Sequence, residues 1–267
     1  LLPICNDKGL KGWTNRSITP GHKNQQNKRM NQTWVIAKRE LTGYFDSLVA
    51  YILFIVFLGL TGLFTWLVGA DVFLRKQADL QVFFEVAQLT LLLFIPAITM
   101  RQFAEEKRSG TIELLLTKNI TNRQVVLGKF LSCLLMVCIA LVFTLPYYIT
   151  LANLGQLDHG ATLSGYVGLF LLSAAYISIG LFTSTLTNNQ IVAFLLALFA
   201  CLVFHFLFDV VASGLTGWSG EMISMLSLSN HFDSISRGVF DTKDLFYFAA
   251  IIVLGLALAE WNISKSN

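Results

Sequence analysis

The groups in this chain that could do covalent or metal chemistry are few and poorly arranged for it. Cys5, Cys133, Cys138 and Cys201 include no Cys-x-x-Cys pair. Cys133 and Cys138, five apart, fall on different helix faces, and the last three sit inside apolar runs, where a cysteine reads as a small hydrophobe rather than a ligand or half of a disulfide. His22, His159, His205 and His231 are scattered, with no ligand spacing. No Gly-x-x-x-x-Gly-Lys phosphate loop, His-Glu-x-x-His or Gly-x-Ser-x-Gly occurs. The sequence therefore predicts no catalytic, metal-binding or cofactor-binding residue. It predicts neither an ATPase nor an intramembrane hydrolase.

Two constellations remain. His205 and Asp209 are four apart in an apolar run, so one helix face could bring them into contact. Ionisable groups in a span are costly and point to function. The pair reads either as a structural polar contact near the outer end of a span or as a substrate or proton site. The second constellation is Arg101–Lys129, the one long, densely charged stretch between two apolar runs. Glu105, Glu106, Lys107 and Arg108 extend the preceding helix into water, and Ser109-Gly110 can break it. Thr111–Thr117 then offers a short helix with Ile112, Leu115 and Leu116 on one side and Glu113 on the other. Leucines exposed on a charged loop need cover. Either a groove on a soluble partner or the ends of the chain's own helices could supply it.

The elements that must position these residues are membrane spans. Charged residues make up 13% of the chain and hydrophobic ones 55%, against about 25% charged in soluble domains. Six runs reach the ~20 apolar residues a crossing needs: about Leu48–Ala70, Val82–Met100, Val125–Leu151, Ser164–Leu186, Ile191–Val211 and Asp244–Ile263. Pro96 predicts a kink near the end of the second. The fourth is rich in small residues (Gly165, Gly168, Ser173, Ala174, Ala175, Ser178, Gly180 and Ser184), which favours close helix packing within the chain or with another subunit. Before the first span, Asn31–Phe45 has helical period, with Trp34, Ala37, Leu41, Tyr44 and Phe45 in one arc and Arg39 and Glu40 opposite. This suits a helix lying in the membrane surface. Between the fifth and sixth spans, 212–243 carries Phe232, Ile235 and Val239 at helical spacing and an Asp233–Arg237 pair. It reads as short helices on, or dipping into, the outer face.

The basic residues gather on one side of this arrangement. Arg101, Lys107, Arg108, Lys118, Arg123 and Lys129 share it with both termini, while Arg75, Lys76, Arg237 and Lys243 lie opposite. The positive-inside rule then makes the termini and the 101–124 loop cytosolic. Residues 1–29 open on Leu1 and run polar and basic to Met30. They are expected to be a disordered or artefactual extension ahead of a single 30–267 domain, with a basic membrane-surface tail as the other reading.

The run Pro96-Ala-Ile-Thr-Met-Arg101-Gln-Phe-Ala-Glu105-Glu106-Lys107-Arg-Ser-Gly110-Thr111-Ile-Glu113-Leu-Leu-Leu-Thr117, with Val126-Leu-Gly128-Lys129 after it, resembles the signature region of ABC-2 type transporter permeases. Ala37-Lys-Arg-Glu40-Leu, Ile179–Leu186 and Asn189-Gln190 fit the same family. Within it the chain most resembles the gliding-motility permease subunit of Bacteroidota, through Asn230-His-Phe-Asp-Ser-Ile-Ser-Arg-Gly238-Val. Asn119 and Ser47-Leu48 stand where the family often has Pro and Ser-Pro.

The resemblance implies an all-α polytopic fold: six transmembrane helices, an N-terminal interfacial helix and short outer re-entrant helices. It implies a multi-pass protein of the bacterial inner membrane, working with a separate ABC ATPase that binds the ATP and with a second permease subunit, a homodimer mate or a paralogue. The lipid bilayer is its surroundings, and nucleic acid has no part. Arg101, Glu105, Glu106, Lys107, Gly110, Thr111, Ile112, Glu113, Leu115 and Leu116 would make up the ATPase-coupling element. The function implied is ATP-driven export or assembly of a surface motility system. A membrane scaffold that anchors an ATPase without moving a substrate is the second reading.

Overall fold

A computed structural model of the chain describes residues 21–67, 79–110, 121–215, 217–239 and 241–265. Among these residues every regular element is helical. Six helices or helix pairs are long and apolar enough to cross a membrane. They are α2 (Leu48–Trp66), α3 with α4 (Gln81–Thr99 and Arg101–Ser109), α5 with α6 (Asn122–Val142 and Leu145–Leu154), α7 (His159–Leu186), α8 with α9 (Gln190–Leu202 and Phe208–Ser213) and α12 (Thr242–Lys265). A long helix, α1 (Gly21–Phe45), precedes them, and two short ones, α10 (Trp218–Ser224) and α11 (Leu228–Ser236), fill the segment before α12. The six expected spans are thus present. α1 begins inside the stretch read as an extension, and residues 1–20 lie outside the described ones.

The bundle is built round α7. Of its most apolar window 78% is buried, against 22% for α8–α9 and α12, and it packs on α3, α4, α5, α8, α11 and α12. Its small residues make this packing possible: Gly165, Gly168, Ser173, Ala174, Ala175, Ser178, Gly180 and Ser184 are all buried within the chain. A Cβ on Gly180 would fall 2.2 Å from Thr99 Oγ1, so α3 and α7 meet there at a separation that any side chain would prevent. The exposed faces of the outer spans are apolar, with Ile52, Ile55, Phe199, Val210 and Val253 turned outward, as lipid contact requires.

Helix ends fall where local chemistry puts them. Asp158 caps α7, its carboxylate accepting from Gly160 N and Ala161 N at 2.8 and 3.1 Å. Thr121 and Gln124 form a capping box at the start of α5. Pro146 stands in the first turn of α6, just past the break that divides the third span. Between α8 and α9 the helix widens into a π-helical turn, Val203–Leu207.

The surface-helix arc holds for most of its residues: Ala37 and Tyr44 are buried and Leu41 and Phe45 pack on the core, with Ile36 buried beside them. It needs a correction at two positions, since Trp34 is 53% exposed and Glu40, placed opposite the arc, reaches Lys129 in the bundle. α1 packs chiefly on α5. A Cβ on Gly128 would sit 2.8 Å from Ile36 Cγ2 and 3.1 Å from Thr33 O. That close approach fixes which side of α1 is covered, and it outweighs the placement of Trp34 by periodicity alone.

Candidate functional site

α4 is the second span continued beyond Pro96. The join is held from outside the helix. Ser184, on α7, accepts from Phe103 N and Ala104 N at 3.1 and 3.2 Å and donates to Met100 O at 3.2 Å. A hydroxyl from a neighbouring helix thus serves backbone groups at the join of α3 and α4. Tyr44 of α1 adds a second tie. Its hydroxyl donates to Ile98 O at 2.7 Å and accepts from Gln102 Nε2. Burial raises the Tyr44 pKa well above its ordinary value, which keeps the phenol in its donating form.

Two side chains then fasten α4 to the bundle. Lys107 donates to Thr185 O at 2.6 Å, and Asn262 of α12 donates to the same carbonyl at 2.8 Å, so the last turn of α7 receives α4 and α12 together. Glu106 meets Lys129 of α5 at 2.8 Å. Lys129 is 1% exposed, lies 3.6 Å from Glu40 of α1, and stands 5.2 Å above the Phe103 ring. Arg39 bridges the same two carboxylates from the solvent side, at 3.0 Å to Glu40 and 3.8 Å to Glu106. Two cations and two carboxylates from three helices therefore close on one another. Arg101 and Glu105 form an ordinary i, i+4 pair at 3.1 Å near the rim. An open groove of about 1210 Å³ runs between α1 and α4, with Trp34, Lys38, Arg39, Arg101 and Glu105 on its walls.

Gly110 ends α4 in the left-handed conformation, φ +69°, with its N–H on the carbonyls of Glu106 and Lys107. The expected helix break is there, and glycine is the residue that takes it without strain. Of the residues assigned to coupling, Arg101, Glu105, Glu106, Lys107 and Gly110 are together on α4 and its cap. Thr111, Ile112, Glu113, Leu115 and Leu116 lie outside the described residues. Lys129 and Glu40 were not among the expected site residues, although both stand in the motifs that carry the family resemblance.

The His205–Asp209 pairing does not form. His205 is fully buried, its Nδ1 2.8 Å from the Tyr176 hydroxyl of α7, and its carbonyl accepts from Ser227. Asp209 accepts from Asn230 of α11 instead. His205 itself stands in the π-helical turn, so the winding from it to Asp209 is not the regular one that the four-residue spacing assumed. Asp233 and Arg237 likewise make no carboxylate contact, since Arg237 Nε donates to the Asp233 carbonyl at 3.0 Å. A further polar link at this end does not follow from the sequence pattern. His231 of α11 sets Nδ1 2.6 Å from Asp244 Oδ1 on α12 and Nε2 2.9 Å from Met225 O. The Tyr247 ring stacks on it, centroids 4.1 Å apart.

Comparison with known proteins decides the family. The family model for the ABC-2 family transporter proteins matches residues 34–259. The chain belongs to the ABC-2 transporter family. No curated protein matches it. The match runs from the exposed Trp34 of α1 to Ala259 of α12, so it takes in α4, the Lys129 cluster and all six spans. This ABC-2 chain is accordingly the membrane subunit of an ABC transporter, in a family whose members usually work with a separate ABC ATPase.

Proposed function

We propose that this chain is the permease through which a separate ATPase drives export, gripping the chain at 110–117. In this reading the termini and α4 face the cytosol of a bacterial inner membrane, ATP is bound only by the partner, and a second permease subunit completes the pathway. The observation that carries it is the build of α4. A span continues past its proline, is tied to α1, α5 and α7 by Glu106, Lys107 and the Ser184 hydroxyl, and ends at a left-handed glycine immediately before the leucine-bearing segment. Such an arm conveys a push made at its tip to the bundle. Closure of the motor on ATP then shifts the bundle between two openings, provided the motor engages the two states unequally.

Co-purification in mild detergent tests this. The wild-type chain is expected to carry an ABC ATPase with it. Glu113→Lys combined with Leu115→Asp is expected to lose the ATPase without loss of the folded bundle. Retention of a fully coupled motor by that double variant overturns the reading. Assignment to a gliding-motility system is supported by the Asn230–Val239 stretch of the resemblance, and its test is loss of surface spreading on deletion of the gene in a gliding host. The scaffold alternative separates on ATPase rate in reconstituted membranes. A pump responds to candidate cargo and a scaffold does not.

A further inference from the structure

We propose that Lys129 is a positioning residue, a latch that makes α1, α4 and the first turns of α5 move as one body when the arm is displaced. The inference deepens the proposed function and rests on it for the direction of force. The latch itself stands on the geometry. An ammonium has three donors and no acceptor. Here it is 1% exposed and faces two carboxylates, Glu106 at 2.8 Å and Glu40 at 3.6 Å, with the Phe103 ring beneath it. Each carboxylate belongs to a different helix, α4 and α1, and α1 is separated from α5 in sequence by α2, α3 and α4.

In a low-dielectric site, separating such charges is expensive over distances that would hardly matter in water. For stability alone, apolar side chains of equal volume serve as well as a buried ion pair. What the ion pair adds is a fixed choice of partners. Arg39, on the solvent side, closes the set so that neither carboxylate is left with Lys129 as its sole cation. The absence of a side chain at Gly128 brings α1 onto α5 within reach of the latch. A displacement of α4 is therefore handed to α1 and α5 through Lys129 rather than absorbed at the Met100 join.

The test uses the full chain in lipid nanodiscs, alone and with its co-purified ATPase. Spin labels on exposed positions, Thr42 of α1 and Arg108 of α4, report the distance between the two helices. In the chain alone, wild type is expected to show one narrow distribution. Glu40→Gln, which leaves the Lys129–Glu106 pair in place, is expected to broaden it by releasing α1. Lys129→Met should broaden it further, and Lys129→Arg should restore it. In the complex, the ATP-dependent shift of α1 is expected to follow that of α4 in wild type and Lys129→Arg and to be lost in Glu40→Gln, with the ATPase still bound. If Lys129→Met does not fold, Glu40→Gln still decides. Narrow distributions in both Glu40→Gln and any folded Lys129→Met overturn the latch, whether or not a motor is present. Failure of wild type to retain an ATPase counts against the proposed function, and the distances in the isolated chain then settle the latch independently.

Discussion

The two ends of this bundle are fastened differently. At the α4 end the key cation is 1% exposed and its carboxylate partners come from helices far apart in the chain. At the α11 end the links are shorter in sequence and closer to the surface. Asn230 reaches Asp209 and Ser224 O, His231 reaches Asp244 and Met225 O, and the Tyr247 hydroxyl reaches Leu226 O. Both ends satisfy polar groups that lipid would not. The first buries a lysine between two carboxylates, whereas the second buries the single carboxylate of Asp244 against one imidazole. The expected consequence is that one end behaves as a stiff lever and the other as a set of separable clasps.

Substitutions at the two ends put numbers on that contrast. The largest loss is expected for Lys129→Met, which leaves two carboxylates with only the solvent-side Arg39 between them. Removal of one partner of a buried pair costs about 3–5 kcal/mol, to be read from denaturant unfolding in micelles. A loss no larger than that of a surface pair would erase the distinction between the ends. His231→Leu is expected to cost less, about 1–3 kcal/mol, as Asp244 and the Met225 carbonyl lose the ring between them. Its signature is local: faster hydrogen exchange in α11 with α4 unchanged. Thr121→Val tests whether burial, rather than which end is touched, sets the scale. Thr121 is exposed at the α4 end, and loss of its capping box should remove only about 1 kcal/mol.

The smallest effect concerns Asp233. Burial lifts its carboxyl above the ordinary range, Arg237 pulls it back, and Glu85 and Asp209 add to the rise. With a raised pKa in the folded chain, the native state holds a proton that the unfolded state has released. Its contribution is therefore complete below the unfolded carboxylate range and lost as pH rises through the folded pKa. Thermal melts should decline slightly across that interval in wild type, and Asp233→Asn should flatten the decline.

The spans were plain in the sequence because an apolar run long enough to cross is a local property. Gly110 and the small residues of the fourth span are legible too, since each acts through its own backbone or size. The latch was not visible. A lysine near the start of an apolar helix looks like a flanking charge, and nothing local to Lys129 announces carboxylates at 40 and 106. At Trp34 and Glu40 the arc of α1 fails for a related reason. Periodicity marks a stripe, but contact with a glycine on α5 decided which residues it covers. His205 and Asp209 were paired on the assumption of an unbroken α-helix, and Val203–Leu207 breaks it.

That widened turn has a consequence for the chain's tolerance of length changes. A π turn takes up a residue that regular winding would have to rotate past, and each residue of an α-helix advances the winding by about 100°. Deleting one residue from Val203–Leu207 would therefore let α8 run into α9 as regular helix with everything beyond it near its present angle, so that Asp209 still faces Asn230. The same deletion within the regular winding of α8 has no such slack and would swing α9 about the axis, taking Asp209 away from Asn230. The wide turn is thus where the fifth span can change length at least cost in angle.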